Sequence, residues 1–148
     1  MKIIVSACLL GKPCRYDGRS KPCDKIISLK ERSDIEITEI CPEQLGGLPT
    51  PREPSEICGD KVISRVGCDV TEPYEHGAKE ALKIALENGC DYAILKSRSP
   101  SCSPDGVYDG SFSGKLIEGS GVAAELLKQS GITVLTEDMT ELLPKEDV

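Results

Sequence analysis

Apolar residues in this chain are grouped into short runs that predict strands and longer periodic stretches that predict helices. Residues 3–5 and 92–95 are short apolar runs of the kind found in buried strands, and residues 132–135 are predicted to form another strand. Residues 35–40 alternate between apolar and polar, which predicts a strand with one less buried face, as at a sheet edge. The pattern therefore predicts four main strands.

Stretches with helical spacing separate these strands. The clearest helix is predicted to have Thr71 as its N-cap, apolar residues at helical intervals from Tyr74 onward, and a stop at the Asn-Gly pair 88–89. A second helix is predicted over residues 121–129, with Ser120 as its cap. Both helices are long enough to cross over between parallel strands.

Three smaller features complete the pattern. Short helices are predicted from residue 23 or 24 to residue 32 and over residues 138–143. Residues 61–65 and 68–70 are predicted to form a hairpin around Gly67. Strands that alternate with helices indicate an α/β fold, with a parallel sheet flanked by helices and right-handed crossovers.

The length and composition indicate a single domain whose core consists of aliphatic side chains. A chain of 148 residues is predicted to form a single domain, residues 1–148, with a substantial core. It has no Trp, one Phe and four Tyr, so the core must be built from aliphatic side chains. The net charge of −7 argues against nucleic acid as the main partner, because phosphate binding needs a basic surface.

Membrane and secretion signals are not expected. No stretch approaches the roughly 20 apolar residues that span a bilayer, and the first five residues are predicted to be a strand, not a signal peptide. We therefore expect a cytoplasmic protein. In that reducing compartment the eight cysteines favour metal binding or catalysis over disulfides.

Three of the cysteines follow predicted strands. Cys8 and Cys41 come after the first two strands, and Cys102 lies in residues 96–105, KSRSPSCSPD, after the third. In parallel α/β sheets ligands bind beyond the carboxyl ends of the strands. The three thiols can therefore converge on one crevice although they are far apart in sequence.

The residues alone leave the use of these thiols open. A structural zinc site is disfavoured because no CxxC pair is present, and Cys8 and Cys14 have an unusual spacing for zinc. The only histidine, His76, falls in a predicted helix and is expected at the surface. Dispersed thiolates suit an iron–sulfur cluster better. Inert buried thiols and a nucleophilic cysteine remain alternatives.

Three longer motifs follow one another along the chain: SACLLGKPCRYDG, CPEQLGGLPTPRE and KSRSPSCSPDG. Together they resemble the bacterial thiouracil desulfurase (desulfidase) family over essentially the whole chain. The resemblance implies a Rossmann-like fold of about four main strands and a [4Fe-4S] cluster held by three cysteines, which by motif position are Cys8, Cys41 and Cys102. It also implies non-redox removal of sulfur from a thiolated nucleobase such as 2-thiouracil. The alternative is a non-enzymatic iron–sulfur or zinc protein that acts as a sensor, electron carrier or sulfur carrier.

The implied reaction suggests roles for two neighbours of these cysteines. Three thiolates on four irons leave one iron without a protein ligand, where a soft thiocarbonyl sulfur can bind and become polarised for attack by water. Such an attack needs a base. Glu43, two residues after Cys41, is the candidate base or proton shuttle, with a loop-anchoring carboxylate as the alternative. Ser101, beside Cys102, is the candidate for bonding substrate or moving a proton.

The remaining polar residues of these loops are candidates for substrate binding. They are Arg15, Asp17, Arg52 and Ser99. The arginines can offset the charge of a cluster or bind an anionic product, and an Arg–Asp ion pair that fixes the first loop is the alternative. Loop serines also commonly form turns with the backbone. Cys14 remains open, because a fourth thiolate would close the iron. No dinucleotide fingerprint is present, so we expect no NAD.

Overall fold

The chain forms an α/β fold in a computed structural model that describes residues 1–145. The last three residues of the predicted domain 1–148 therefore lie outside the described residues. The strands are β1 (Lys2–Ser6), β2 (Glu36–Ile40), β3 (Ser55–Cys58), β4 (Lys61–Ser64), β5 (Tyr92–Leu95), β6 (Val107–Tyr108), β7 (Leu116–Ile117) and β8 (Thr133–Thr136). The α-helices are α1 (Asp24–Ile27), α2 (Pro42–Leu45), α3 (Thr71–Glu87) and α4 (Val122–Gln129). Short 3₁₀ helices cover Ala7–Leu10, Ser28–Glu31 and Thr140–Leu142.

The central sheet has the predicted parallel arrangement. Its strand order is β2-β1-β5-β8, and every neighbouring pair is parallel. β2 lies at the edge, as its alternating pattern predicted. The chain steps from β1 to β2 on one side and then to β5 on the other, so the order reverses between β1 and β5. In α/β sheets this switch point is where ligands bind.

Aliphatic layers cover both faces of the sheet, because consecutive residues of a strand point to opposite sides. Ile3 and Val5 of β1 pack on one face with Ile94 of β5. The other layer holds residues of the sheet and of α3 and α4, namely Ile4, Ala81, Ala85, Ala93, Leu95, Ala124 and Leu127. The alanines allow both helices to lie close to the strands. The aliphatic core confirms the expectation from composition.

Two glycines let α2 pack closely on α3. A Cβ atom at Gly46 would overlap the carbonyl oxygen of Pro73, and one at Gly77 would overlap the carbonyl oxygen of Pro42. Such overlap cannot be relieved by a side-chain rotation because backbone atoms are involved. The position of α2, which carries Glu43, thus depends on both glycines.

The predicted hairpin around Gly67 forms, although residues 68–70 pair too briefly to make a strand of their own. Asp69 bridges antiparallel to Ile63 of β4, and the backbone N–H groups of Ser64 and Val70 donate across the pair to the carbonyl oxygens of Cys68 and Val62. Sequence reasoning missed that β4 also pairs antiparallel with β3, through a turn at Gly59 and Asp60. Gly59 adopts a φ of +64°, the left-handed conformation that tight two-residue hairpins require.

Both predicted N-caps were also wrong. α3 begins at Thr71 itself, and the Thr71 hydroxyl accepts a hydrogen bond from the backbone N–H of Val62 at 2.9 Å. α4 begins at Val122, and the Ser120 hydroxyl donates to the carbonyl oxygen of Pro104 at 2.7 Å. The Thr71 hydroxyl therefore bonds β4, and the Ser120 hydroxyl bonds the Pro104 carbonyl oxygen and the Lys128 side chain, so neither serves as the N-cap of its helix.

The short helices differ from the prediction in type and length. The helix predicted up to residue 32 is α1 followed by a 3₁₀ turn, and that predicted over 138–143 is the 3₁₀ helix Thr140–Leu142. α2, with Pro42 at its start, was not among the predicted helices. Within residues 1–145, no helix is both long and apolar enough to cross a membrane.

Candidate active site

A cavity of about 520 Å³ opens beyond the carboxyl ends of β1, β2 and β5, and the three candidate thiols line it. Cys8 lies in the 3₁₀ turn after β1, Cys41 directly follows β2, and Cys102 lies in the loop after β5. Cys8 and Cys102 are buried and Cys41 is half-buried. The fold thus brings together three cysteines from the ends of three strands.

Cys14 is a fourth thiol of the same cavity. It is buried, and its carbonyl oxygen lies 3.8 Å from the Cys41 Sγ atom, which donates to it. The neighbouring thiol of Cys14, and then burial, raise the pKa of Cys41. Cys14 is therefore close enough to Cys41 to influence its protonation.

Two serine hydroxyls lie next to the sulfur of Cys102. The Ser6 Oγ donates to the Cys102 Sγ at 3.4 Å, and the Ser101 Oγ lies 3.4 Å from the same sulfur. Burial raises the pKa of Cys102 to about 11, against the lowering effect of these hydroxyls. The Ser6 hydroxyl also accepts the backbone N–H of Lys96 at 3.0 Å, which links the ends of β1 and β5.

The loop that carries Cys102 is held by its own serines and by α4. The Ser99 hydroxyl accepts the backbone N–H groups of Ser101 and Cys102 at 3.2 and 3.1 Å, which makes a serine turn. The backbone N–H of Ala123, at the start of α4, donates to the Ser101 carbonyl oxygen at 2.8 Å. A Cβ atom at Gly121 would overlap the Ser101 backbone. These contacts fix the position of the Cys102 thiol.

Glu43 accepts three hydrogen bonds at the wall of the cavity. Its Oε1 atom accepts from the Tyr74 hydroxyl at 2.7 Å and from the Arg52 Nε at 3.1 Å. Its Oε2 atom accepts from the Ser101 hydroxyl at 2.9 Å. Burial, and then the charge of Glu43, raise the pKa of Tyr74, so the phenol remains a donor. The carboxylate is thus held at one oxygen and shares the other with Ser101.

Arg52 connects the loops around Glu43. Its side chain is only 7% exposed, and besides Glu43 it donates to the carbonyl oxygens of Cys14 and Pro49 and to the Thr50 hydroxyl, at 3.0–3.1 Å. Because its donors are engaged within the protein, Arg52 is suited to positioning Glu43 and the Cys14 loop.

The other predicted substrate-binding residues have different surroundings. Arg15 lines the cavity, with its guanidinium carbon 5.7 Å from the centre of the Tyr16 ring. Ser99 lines the cavity as well. Asp17 does not belong to the lining: its exposed carboxylate accepts the backbone N–H of Arg19 at 3.0 Å.

The thiols fit a multi-iron cluster better than a single metal ion. Among the described residues 1–145, no three His, Cys, Asp or Glu side chains are arranged to hold one ion. A single zinc requires all its sulfur ligands about 2.3 Å from one point. Thiolates on a cluster bind separate irons and can lie further apart. Soft donors that line a common cavity at the ends of three strands meet that requirement.

Sequence reasoning missed Ser6, Tyr74 and a buried carboxylate, Glu56, that lines the cavity. Ser6 entered the sequence analysis only as the first residue of the motif SACLLGKPCRYDG. Tyr74 was predicted as an apolar position of α3, and a hint to a second role was that it is the single aromatic residue of that helix. Nothing local marks Glu56, because its partners lie more than 50 residues away.

Comparison with known proteins places these features in a family. The profile of the 2-thiouracil desulfurase family matches residues 3–139. A Bacillus subtilis (strain 168) protein named "Uncharacterized protein YbbK" is 44% identical over 146 residues, which cover 92% of this chain and 95% of that protein. A solved structure, the [4Fe-4S]-dependent thiouracil desulfidase TudS, is similar with a TM-score of 0.86 and 44% identity, over 95% of this chain and 94% of that one.

Proposed function

This chain belongs to the 2-thiouracil desulfurase family, and we propose that it catalyses [4Fe-4S]-dependent, non-redox desulfuration of a thiolated nucleobase of the 2-thiouracil type. Water replaces the sulfur, so the products are the oxo base, hydrosulfide and one proton, and no electron is transferred. The observation that carries the assignment is the meeting of Cys8, Cys41 and Cys102 in one cavity with Glu43 and Ser101.

The three cysteines are the proposed cluster ligands. When bound, the cluster supplies an iron without a protein ligand, which acts as a Lewis acid toward the thiocarbonyl sulfur. The hydroxyls of Ser6 and Ser101 lie beside the Cys102 sulfur and stabilise it as a thiolate. Cys14 is proposed to line the cavity without acting as a ligand.

Glu43 and Ser101 form the proposed proton path. Oε1 of Glu43 is occupied by Tyr74 and Arg52, which leaves Oε2 to receive a proton through the Ser101 hydroxyl. As a water molecule attacks the thiocarbonyl carbon of the nucleobase, the Ser101 hydroxyl accepts a proton from that water. Ser101 passes its own hydroxyl proton to Oε2 of Glu43. A positioned base of this kind typically contributes about 10²- to 10⁴-fold in rate.

The neighbouring polar residues divide into positioning and binding roles. Arg52 and Tyr74 hold the carboxylate of Glu43 in place. Arg15 and Ser99 line the cavity and are the candidates for contact with the base. Asp17 shapes the first loop through its bond to the Arg19 backbone.

The cysteines and the net charge indicate the cell compartment and the kind of partner. All eight cysteines are free thiols, which favours a reducing compartment, and we propose the cytoplasm. The net charge of −7 favours a small-molecule substrate over a nucleic acid as the main partner.

Sulfide release tests this function. Protein reconstituted with iron and sulfide under anaerobic conditions is freed of excess reagents and incubated with 2-thiouracil without a reductant. We expect uracil and new sulfide in equal amounts, and neither product with Cys102→Ser. Release that depends on an added reductant, or disappearance of thiouracil without formation of uracil, would contradict non-redox desulfuration.

A further inference from the structure

The aromatic side chains of this chain are concentrated in the cavity. The protein has one Phe, four Tyr and no Trp. Four of these five rings line the cavity: Tyr16, Tyr74, Tyr108 and Phe112. The fifth, Tyr92, packs against the aliphatic core. A protein that builds its core almost without aromatic residues thus places its rings where a planar ligand would bind.

Among these four rings, Phe112 is the only one without a hydroxyl group. The Tyr74 hydroxyl donates to Glu43, and Tyr74 as a whole is only 2% exposed. Tyr16 lies at the rim, 39% exposed. Phe112 is half-buried in the cavity lining and can offer a flat apolar surface to a ligand.

The backbone holds Phe112 in an uncommon conformation. Its φ is +58°, in the left-handed region that bulky residues seldom adopt. Residues in such conformations are maintained by their surroundings and cluster at ligand sites. Here the surroundings can be identified, because a single carboxylate oxygen clamps the loop.

Glu56 provides that clamp. Its side chain is buried, and its Oε1 atom accepts the backbone N–H groups of Gly110 at 3.0 Å and Phe112 at 3.1 Å. A Cβ atom at Gly110 would lie 3.0 Å from the Ile57 carbonyl oxygen, so the loop is seated tightly on β3. Glu56 therefore fixes the loop from the strand that borders the cavity.

A cation lies over the Phe112 ring. The guanidinium carbon of Arg65 is 6.0 Å from the ring centre, within the range of a cation–π contact. The two bonds to Glu56 fix the backbone that carries Phe112, and the Arg65 guanidinium lies against its ring. A ring fixed before a ligand arrives loses little freedom on binding, which strengthens association.

We propose that Phe112 forms the wall on which the planar ring of the substrate base stacks, and that Glu56 is a positioning residue that holds this wall in place. The inference rests on the proposed function, and it adds the surface that orients the base while its sulfur is directed toward the thiols. Stacking is the same for substrate and product bases, because both are planar. Its contribution is thus to binding more than to the chemical step.

The role of Phe112 is tested by truncating its side chain in the cluster-loaded enzyme. Phe112→Ala is expected to raise the KM for 2-thiouracil by about 5- to 150-fold, the range found when a stacked aromatic ring is removed, with a much smaller change in kcat. Titration calorimetry with uracil should show a similar rise in its Kd. Ile117→Ala, an apolar truncation in the same segment but outside the cavity, is the control and should change neither constant.

Glu56 is tested by a pair of substitutions. Glu56→Ala should raise KM and the uracil Kd in the same direction as Phe112→Ala, whereas Glu56→Gln should restore both, because its amide oxygen can accept the same two N–H bonds. A purely structural role would lower the melting temperature of Glu56→Ala and leave KM unchanged.

The outcomes separate this inference from the proposed function. KM and uracil Kd values within twofold of wild type in cluster-loaded Phe112→Ala would overturn the stacking wall and leave the desulfurase assignment intact. A wild-type protein that carries the cluster and neither releases sulfide from thiouracil nor binds uracil would overturn the proposed function, and the inference with it.

Discussion

Substitution of Glu43 by glutamine separates the chemistry of the site from its architecture. In Glu43→Gln the amide oxygen can still accept the bonds from Tyr74 and Arg52, and the amide N–H₂ can donate to the Ser101 hydroxyl. The hydrogen-bonded frame is therefore retained, while the negative charge and the acceptor for a proton at Oε2 are lost.

The loss of folding stability in Glu43→Gln can be bounded from how deeply the Arg52–Glu43 ion pair is buried. The side chains of Arg52 and Glu43 are 7% and 14% exposed, and breaking a buried ion pair typically costs about 3–5 kcal/mol. We expect Glu43→Gln to lower the free energy of unfolding by about 2 kcal/mol, which is below that range. The loss is smaller because Arg52 keeps its bonds to two carbonyl oxygens and a hydroxyl. A domain stabilised by about 5–15 kcal/mol remains folded after such a loss.

The expected effect on catalysis is larger than any effect of unfolding. If Glu43 accepts the proton, kcat should fall by about 10²- to 10⁴-fold, with iron content and visible absorbance unchanged. The assay follows uracil and sulfide under anaerobic conditions, and urea denaturation gives the free energy of unfolding. Glu75→Gln is the control, since Glu75 is an exposed carboxylate on α3 and the substitution makes the same change of charge.

Two results would refute this reasoning in different ways. Turnover within about threefold of wild type in a cluster-loaded Glu43→Gln protein would remove Glu43 from proton transfer. Loss of iron from the variant would show instead that the carboxylate supports the thiol loops, the anchoring role that was the alternative interpretation from sequence.

Three further predictions concern the surroundings of the site. Tyr74→Phe should lower kcat and reduce the free energy of unfolding by about 1.5–3 kcal/mol, since it removes a bond to the charged Glu43; kinetics and urea denaturation measure both. Gly77→Ala should destabilise the protein by about 1–3 kcal/mol and reduce activity by displacing α2, whereas Gly106→Ala, where a Cβ makes only ordinary contact, should cost less than about 1 kcal/mol. Cys14→Ser should retain the visible absorbance and sulfide release, both of which serine at any of the three proposed ligands should abolish; loss of the cluster in Cys14→Ser would contradict the three-ligand assignment.

Local patterns predicted the parts of this fold that short segments determine. Both ends of the strand at residues 92–95 were predicted correctly. The apolar run follows an Asn-Gly stop and precedes a polar loop, and these two signals define its limits. The edge position of β2 followed from its alternating pattern. The convergence of the three thiols followed from general topology, since the carboxyl ends of parallel strands lie at one edge of the sheet.

Structural features that depend on contacts between distant parts of the chain could not be predicted from local sequence patterns. Thr71 and Ser120 have the side chains of helix caps, yet each hydroxyl bonds a segment that is 9 or 16 residues away. The pairing of β4 with β3 was missed although Gly59 and Asp60 form a recognisable two-residue turn. The links from Glu43 to Tyr74 and to Ser101 span 31 and 58 residues, and no local pattern encodes them.

The central claim is that Cys8, Cys41 and Cys102 hold a four-iron cluster with one iron free of protein ligands. Mössbauer spectroscopy of protein reconstituted with ⁵⁷Fe tests it most directly, because it resolves the irons by their ligands. We predict that addition of 2-thiouracil changes the signal of one iron in four and leaves the other three unchanged, in the wild type and equally in Cys14→Ser. A spectrum in which all four irons are indifferent to thiouracil would contradict an open iron at this site.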